Sequence, residues 1–255
     1  MSPDLFDMHC HLGFCADSAQ AARELAAQGV GAFSNTVTPA EFAEQRAALA
    51  DAANVRVGAG LHPWWAGEFD PFADWDRLYG LVARNRFIGE VGLDFSPRQA
   101  DTRKVQLDAL TCIAHACART GNKVLSVHAV RAVDQVLDEL ERASVFGGLT
   151  GNACIIQWFS GTSDQLTRAR RAGCFFSVNP RMLESKRGRA YAQAIPADRL
   201  LLETDEPASE GAPWDAVRVR ELVEGSLAQL AALRGDDPAE LRERIAQTSR
   251  TLLQR

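Results

Sequence analysis

The sequence has no excess of positive charge, no paired cysteine motif and no long apolar run. Its 255 residues carry a formal net charge of −5, so no overall basic field would attract nucleic acid, and only a local patch could bind a polyanion. None of the six cysteines forms a Cys-x-x-Cys pair, which favours reduced, buried thiols over a disulfide framework. Without a signal-like amino terminus or a run of membrane-spanning length, we expect a cytoplasmic protein that contacts no membrane.

A regular alternation of short apolar runs with longer amphipathic segments is present instead. Eight runs have the length and composition of β-strands, at residues 5–9, 31–37, 55–61, 87–93, 123–129, 153–158, 173–179 and 200–205. Helices are predicted at residues 18–29, 38–53, 70–84, 99–120, 131–143, 161–171 and 182–194, and in two stretches after residue 212 that separate near residues 235–238.

Eight strands that are each followed by a helix, in a chain of this length, predict a (β/α)8 TIM barrel. An open, doubly wound sheet is the alternative. It would require a glycine-rich phosphate-binding turn after the first strand, and the sequence there is DMHCHLG. No internal repeat or linker interrupts the alternation, so we expect one domain that spans residues 1–255.

Histidines stand at the end of the first predicted strand, and in a barrel the carboxyl ends of all strands meet at one face. His9 and His11 are two residues apart, so the strand period places both on one side, with Met8 and Cys10 on the other. Two converging imidazoles suit a transition metal or zinc. The alternative is that they are ordinary polar loop residues.

Further strand ends carry side chains of the same kind. They are His62, Glu90, His128 and Asp205, at the third, fourth, fifth and eighth strands, with Glu203 on the same face as Asp205. Glu90 lies between apolar residues, where a carboxylate without a partner is costly, so it requires a cation. The combined set suits one or two divalent ions, with Glu90 able to bridge them. Such a pair of ions would stabilise an in-line displacement and lower the pKa of a bound water. His115, within a predicted helix, is expected to be a packed or surface residue.

A basic cluster follows the seventh strand in the sequence NPRMLESKRGR. Arg181 and Lys186 belong to it, and in a chain of negative net charge it is the best candidate for binding a phosphate backbone. The alternative is a solvated helix face in which Glu184 offsets one of the charges.

Two tryptophans, Trp64 and Trp65, follow His62 in one loop. An indole exposed at the barrel mouth would stack an unpaired base, which favours single-stranded nucleic acid. Packing at the rim of the barrel is the alternative.

The motifs FDMHCH, GLHP, GEVGLDF, SVH, FSG and ETDEP, taken in order, resemble those of the TatD-type metal-dependent deoxyribonucleases of the amidohydrolase-like barrel superfamily. The resemblance covers residues 4–255. It implies a distorted (β/α)8 barrel that hydrolyses the phosphodiester bonds of DNA, often from 3′ to 5′, with one or two divalent ions. Mg²⁺ and Mn²⁺ are the implied metals, and Zn²⁺ is a further candidate.

The resemblance also implies the roles of individual residues. His9, His11, Glu90 and Asp205 would hold a first ion, and Glu90 and His128 a second. The implied catalytic residues are Glu90, Asp205, which helps to activate water, and His62, which contacts the scissile phosphate.

Gln157 departs from this pattern, because the family has a histidine two residues before FSG that binds the second ion. An amide oxygen is a poorer ligand for transition metals but is usable for Mg²⁺. Three interpretations stay open. The second ion binds weakly through Glu90, His128, Gln157 and water; a single tight ion recruits the other with the substrate phosphate; or the site is weakened and the chain binds nucleic acid or a partner with little turnover.

Residues 176–207 and the following PWDAV are similar to the TatD-like nuclease of Qat anti-phage defence systems, QatD. This finer resemblance implies a role in bacterial defence, with other Qat proteins as partners. An amidohydrolase that cleaves a C–N bond is a further alternative. Many such barrels bridge their ions with a carboxylated lysine, and Glu90 in that position favours phosphoester chemistry.

Overall fold

The computed structural model of the chain describes residues 3–68 and 74–254. Eight parallel strands pair in sequence order within one sheet. They are β1 Leu5–Cys10, β2 Val30–Asn35, β3 Val55–Leu61, β4 Phe87–Asp94, β5 Val124–Val130, β6 Ala153–Gln157, β7 Phe175–Val178 and β8 Leu200–Leu202. The predicted (β/α)8 barrel is confirmed, and all eight predicted strands are present.

Backbone hydrogen bonds between β1 and the segment after β8 bring the two ends of the sheet together. The Asp205 N–H donates to the His9 carbonyl oxygen at 2.9 Å, and the His11 N–H donates to the Glu206 carbonyl oxygen at 2.9 Å. The nearly closed barrel therefore places Asp205 beside the two histidines of the first strand end.

Ten helices occupy the described connections and the carboxyl-terminal part. They are α1 Ser18–Ala27, α2 Pro39–Ala48, α3 Trp75–Arg84, α4 Arg103–Thr120, α5 Val133–Arg142, α6 Ser163–Arg171, α7 Pro180–Glu184, α8 Lys186–Ala194, α9 Ala216–Arg234 and α10 Pro238–Gln254. Of the predicted helix 70–84, residues 70–73 lie outside the described residues. None of the described helices combines the length and apolar character that crossing a lipid bilayer requires.

The predicted helix 182–194 is wrong in its extent, because two helices, α7 and α8, replace it. Ser185 has an extended backbone between them, and its Oγ accepts from the Gly188 N–H at 2.9 Å, which caps α8. A Cβ at Gly188 would lie 1.9 Å from the Met182 carbonyl oxygen, so only glycine fits this sharp junction.

The amino-terminal end of the barrel is covered by α10. Leu252 and Leu253 pack in one buried cluster with Phe6 and Met8 of β1, which leaves the carboxyl ends of the strands as the open face. The prediction that Met8 and Cys10 share a side is wrong, since Cys10 packs in the other buried cluster. A register shift between Asp7 and Cys10 interrupts the alternation of β1.

Candidate metal centre

The predicted strand-end side chains meet around Glu90, which is 2% exposed. Its Oε2 lies 3.2 Å from His9 Nε2 and 3.4 Å from His11 Nε2. Its Oε1 lies 2.7 Å from His128 Nδ1 and 3.4 Å from His62 Nε2. The two oxygens of one carboxylate thus face two different groups of imidazoles, which is the arrangement of a ligand that bridges two ions.

A close approach between strands holds Glu90 in this position. A Cβ at Gly60 would lie 1.7 Å from the Thr36 carbonyl oxygen, so glycine is required there. The Thr36 carbonyl oxygen in turn accepts from the Glu90 N–H at 2.9 Å. The glycines of β3 therefore allow β4 to approach the end of β2 and to direct Glu90 into the barrel mouth.

His9, His11 and Asp205 form the first group with Glu90. Asp205 Oδ1 lies 3.5 Å from His9 Nε2 and 3.3 Å from His11 Nε2, and the two Nε2 atoms are 3.2 Å apart. Two nitrogens and two carboxylate oxygens thus converge on one small volume, as a divalent ion requires. The Asp205 side chain is 31% exposed, so it is the member of this group that a solvent water can reach.

Hydrogen bonds on the far side of the two imidazoles orient them. His11 Nδ1 donates to the Asn35 carbonyl oxygen at 3.1 Å, so in the neutral ring the Nε2 lone pair faces Glu90 and Asp205. His9 Nδ1 lies 2.7 Å from Ser126 Oγ, which can accept its proton, and 3.2 Å from Asn35 Nδ2, which also donates to the Phe33 carbonyl oxygen. Outer partners of this kind fix the tautomer that metal ligation needs.

Glu203 does not join this group. The strand β8 ends at Leu202, so the alternation expected up to Asp205 stops earlier, and Asp205 has a positive φ of 64°. The buried Glu203 carboxylate accepts from Ser177 Oγ and from Asn179 Nδ2. Burial, followed by the negative charge of Asp205, raises the pKa of Glu203 well above its ordinary value, which favours the neutral carboxyl.

His128 and Gln157 form the second group with Glu90. Gln157 Nε2 donates to Glu90 Oε1 at 3.1 Å and lies 3.2 Å from His128 Nδ1. Gln157 Oε1 is buried and has no hydrogen-bond partner among the described residues. Half a turn of the amide would exchange the two atoms and set Oε1 against the Glu90 carboxylate, which is favourable only with a cation between them. The orphaned oxygen therefore fits a hard ion at this position.

His62 differs from the other three histidines at the centre, although its ring nitrogens lie as close to Glu90 and His128 as those of a ligand would. The backbone N–H of Trp64 donates to His62 Nδ1 at 3.1 Å. A neutral His62 therefore carries its proton on Nε2, the atom that faces Glu90 Oε1. This tautomer makes His62 a hydrogen-bond donor and leaves it no lone pair for an ion.

Charge is balanced within the centre by the imidazoles. Burial would raise the pKa of Glu90, but the charges and hydrogen bonds of the imidazoles around it hold it well below its ordinary value. Burial would likewise lower the pKa of His11, yet hydrogen bonds to Asp205 and Glu90 raise it to about 10. For His62 burial prevails and the pKa is lowered, in keeping with a neutral donor.

A cavity of about 510 Å³ opens above the centre at the carboxyl ends of the strands. Its wall includes Trp64, Trp65, Trp158 and Arg181, and Trp64 is 53% exposed. The Arg181 guanidinium lies 5.7 Å from the centroid of the Trp158 ring. Lys186, the first residue of α8, is exposed and is not part of this wall, so its role in substrate binding stays a prediction.

Four residues of this site were not identified from the sequence. They are Asn35, Asp94, Ser126 and Trp158. For Trp158 and Asp94 a signal was available, because each stands at a predicted strand end. Asn35 lies inside the predicted strand 31–37, although β2 ends at this residue, and Ser126 lies inside β5, so neither gives a signal of its own. His115 lies on the surface of α4, as expected.

The sequence was compared with protein families and with characterised proteins. The family model described as "TatD related DNase" matches residues 6–254. A Dickeya dadantii protein named 3′-5′ ssDNA/RNA exonuclease TatD is 30% identical over 97% of this chain and 97% of its own length. A protein of the same name from Cronobacter sakazakii is 32% identical over 72% of this chain and 71% of its own length.

Solved structures are similar in fold. A hydrolase TatD family protein from Entamoeba histolytica has a TM-score of 0.79 at 15% identity, over 99% of this chain and 98% of that one. A TatD homologue from Escherichia coli has a TM-score of 0.75 at 22% identity over the same shares.

Proposed function

The chain belongs to the TatD-related DNase family, and from this premise we propose that it hydrolyses phosphodiester bonds of nucleic acid with bound divalent ions. The predicted enzyme class, a metal-dependent hydrolase of ester bonds, is the class of this family. The observation that carries the proposal is the position of Glu90, whose two oxygens face two separate groups of potential ligands.

The residues present fit two ions of unequal affinity. His9, His11, Glu90 and Asp205 would hold the first. The second would be held by Glu90, by His128 and by the orphaned oxygen of Gln157, the last residue of β6. Divalent ions bound there supply positive charge that stabilises a phosphoryl group during displacement and acidifies a water. Mg²⁺ or Mn²⁺ suits this mixed set better than Zn²⁺, because the amide oxygen is a hard ligand.

Three side chains would act on the substrate directly. His62 would donate its Nε2–H to an oxygen of the scissile phosphate, as its tautomer permits. Asp205, the partly exposed carboxylate, would accept a proton from the attacking water. Arg181 would contact a phosphate at the cavity mouth, where it forms no ion pair with a described carboxylate.

Single-stranded DNA is the proposed substrate, trimmed from its 3′ end. Its support is the row of tryptophans in the cavity wall, since an indole stacks unpaired bases of any sequence. The names of the Dickeya and Cronobacter relatives, 3′-5′ ssDNA/RNA exonucleases, agree with this choice. The same names make RNA the first alternative substrate.

The proposed setting is the bacterial cytoplasm, in anti-phage defence together with other Qat proteins. Its support is the sequence similarity over residues 176–207 and the PWDAV segment. Phage plating on cells that carry the whole gene cluster tests this setting. If Glu90→Ala left the protection against phage unchanged, the defence would not depend on the catalytic activity of this chain.

The activity is tested with purified protein and end-labelled single-stranded DNA, double-stranded DNA and RNA, each with Mg²⁺, Mn²⁺, Zn²⁺ or a chelator. Trimming from the 3′ end that requires the metal and is lost in Glu90→Ala is the expected result. Glu240→Ala, at the exposed start of α10, is the matched control and should retain full activity.

Two other outcomes would replace this proposal. Inactivity on every nucleic acid together with hydrolysis of a cyclic amide would identify a C–N amidohydrolase. Tight binding of DNA without turnover would identify a binding subunit, the reading that Gln157 in place of a histidine favours.

A further inference from the structure

Asp94, the last residue of β4, is 3% exposed and faces two different parts of the site. Its Oδ2 accepts from the Trp64 indole N–H at 2.6 Å. The same oxygen lies 3.4 Å from Nε2 of His128. We propose that Asp94 is a positioning residue that presents His128 to the second ion and couples that ion to Trp64. This inference rests on the proposed function for its metal and its stacking tryptophan.

The Asp94 carboxylate has little freedom to turn. Its Oδ1 accepts from the Ser96 N–H at 2.8 Å, so donors occupy both oxygens. The backbone is fixed as well, because the Asp94 N–H donates to Oε1 of the buried Gln106 at 2.9 Å. The carboxylate is therefore a rigid reference point for the side chains that contact it.

Asp94 determines which nitrogen of His128 is available to an ion. The imidazole presents Nε2 to Asp94 and Nδ1 to Glu90 and Gln157. Nδ1 lies 2.7 Å from Glu90 Oε1, and the buried Nε2 has no hydrogen-bond partner among the described residues. With an ion between Nδ1 and Glu90, the one proton of a neutral imidazole would lie on Nε2, and Asp94 is the carboxylate beside it. The Nδ1 lone pair then faces the second ion. This is the carboxylate–histidine–metal arrangement, in which the outer acid orients the ligand and raises its basicity.

The same oxygen also orients the exposed indole of Trp64. Trp64 lies in the loop after β3, and Asp94 is the acceptor that its indole N–H contacts. The oxygen that accepts from the indole N–H of the cavity wall is therefore the same oxygen that lies 3.4 Å from Nε2 of the metal ligand. Because both groups face one oxygen, we expect a shift in the position of His128 to alter the hydrogen bond that holds Trp64, and the reverse also applies.

Asp94→Asn tests the first half of the proposal. An amide has a single oxygen, so it cannot accept from Ser96 on one side and from Trp64 and His128 on the other. Removal of an outer partner of this kind weakens metal affinity by about 10- to 100-fold. Calorimetric titration with Mn²⁺ should show this loss at the weaker site and an unchanged tighter site. Asp101→Asn, an exposed change of equal charge, should leave both affinities unchanged.

Nuclear magnetic resonance of the indole N–H groups tests the coupling in the unaltered protein. The chain has five tryptophans, and the signal that is missing in Trp64→Phe identifies Trp64. Addition of diamagnetic Mg²⁺ to wild-type protein should shift this signal over the concentration range that fills the weaker site. In Asp94→Asn the shift with Mg²⁺ should be lost.

The possible results separate this inference from the proposed function, because neither measurement uses DNA. The inference would be overturned if the second ion bound wild type and Asp94→Asn with equal affinity. It would also be overturned if the Trp64 indole signal of wild type did not shift when Mg²⁺ is added. A wild-type protein that binds one ion only, yet trims DNA, would also overturn it while the nuclease proposal survives. Binding of two ions, with the second ion coupled to Trp64 but with no cleavage of any nucleic acid, would support the inference and refute the nuclease proposal. Should Asp94→Asn fail to fold, the wild-type Mg²⁺ titration decides alone.

Discussion

The backbone N–H of Trp64 donates to Nδ1 of His62 at 3.1 Å, and this contact separates His62 from the metal ligands around it. Because the neutral ring then carries its proton on Nε2, we expect His62→Ala to leave the number and affinity of bound ions unchanged. Loss of a donor to a phosphoryl group should lower kcat by roughly 100- to 1000-fold.

His128→Ala is the comparison for this prediction, because His128 contacts Glu90 through a nitrogen that can ligate an ion. Calorimetry should show the weaker ion lost in His128→Ala and retained in His62→Ala. Loss of an ion in both variants would make His62 a ligand and refute the tautomer argument.

Gln157→His should tighten the second ion, by about tenfold or more, because imidazole is a better ligand than an amide oxygen for Mn²⁺. The gain should be larger for Mn²⁺ than for Mg²⁺, since Mg²⁺ prefers oxygen. Calorimetric titration of wild type, Gln157→His and Gln157→Leu with each ion checks this. Identical affinity and stoichiometry in the wild type and Gln157→His would remove residue 157 from the metal shell.

The barrel and its ligands could be predicted from the sequence because the signals that define them are local. An apolar run with His9 or His128 near its end indicates a buried strand and a polar group at its mouth, and Glu90 is a carboxylate among the apolar residues of a third such strand. The convergence of strand ends in a barrel then brings these groups together without knowledge of any contact. For the same reason Trp158 and Asp94 could have been identified, since Asp94 ends β4 and Trp158 directly follows β6.

Other features depend on packing that the sequence does not show. The register shift in β1 moves Met8 away from Cys10, and nothing in the two-residue period indicates it. The break at Ser185 depends on a close approach between Gly188 and the Met182 carbonyl oxygen. The donor role of His62 likewise requires the position of one backbone N–H in a loop.

Arg181 and Lys186 should differ in their effect on DNA binding, although the sequence gives them the same predicted role. Arg181 lines the cavity and lies over the Trp158 ring, whereas Lys186 is exposed outside the wall. In a Glu90→Ala background, Arg181→Ala should weaken binding of single-stranded DNA and lower the slope of log K against log salt by about 1. Fluorescence anisotropy at several salt concentrations measures both. An equal loss of DNA affinity in Lys186→Ala would show that α8 also contacts the phosphate backbone.

Trp158→Ala should weaken binding of a single strand, because Trp158 offers an aromatic face that Arg181 supports. Stacking contributes about 1–3 kcal/mol per base, so the dissociation constant should rise roughly 5- to 150-fold. Trp158→Phe should recover most of this loss. Trp214→Phe, a change outside the residues that line the cavity, is the control. If Trp158→Ala bound single-stranded DNA as tightly as wild type, the Trp158 indole would have only a packing role at the rim of the barrel.

Lys123 stabilises the barrel at a distance from the chemistry. It is 4% exposed, and its Nζ donates to the carbonyl oxygens of Val82, Ala83 and Asn85 at 2.8, 2.9 and 2.6 Å. These carbonyl groups lie at the carboxyl end of α3, where the helix has no donors of its own and where a cation is favourable.

Lys123→Met keeps most of the side-chain volume and removes all three donors. Buried carbonyl oxygens without a partner are costly, so the free energy of unfolding should fall by about 2–4 kcal/mol. Denaturant titration measures this, with Lys104→Met on the exposed face of α4 as the control. Because Lys123 contacts none of the metal ligands, the folded variant should bind Mn²⁺ as wild type does. A loss of metal affinity without a loss of stability would mean that the start of β5 affects the position of His128 at its other end.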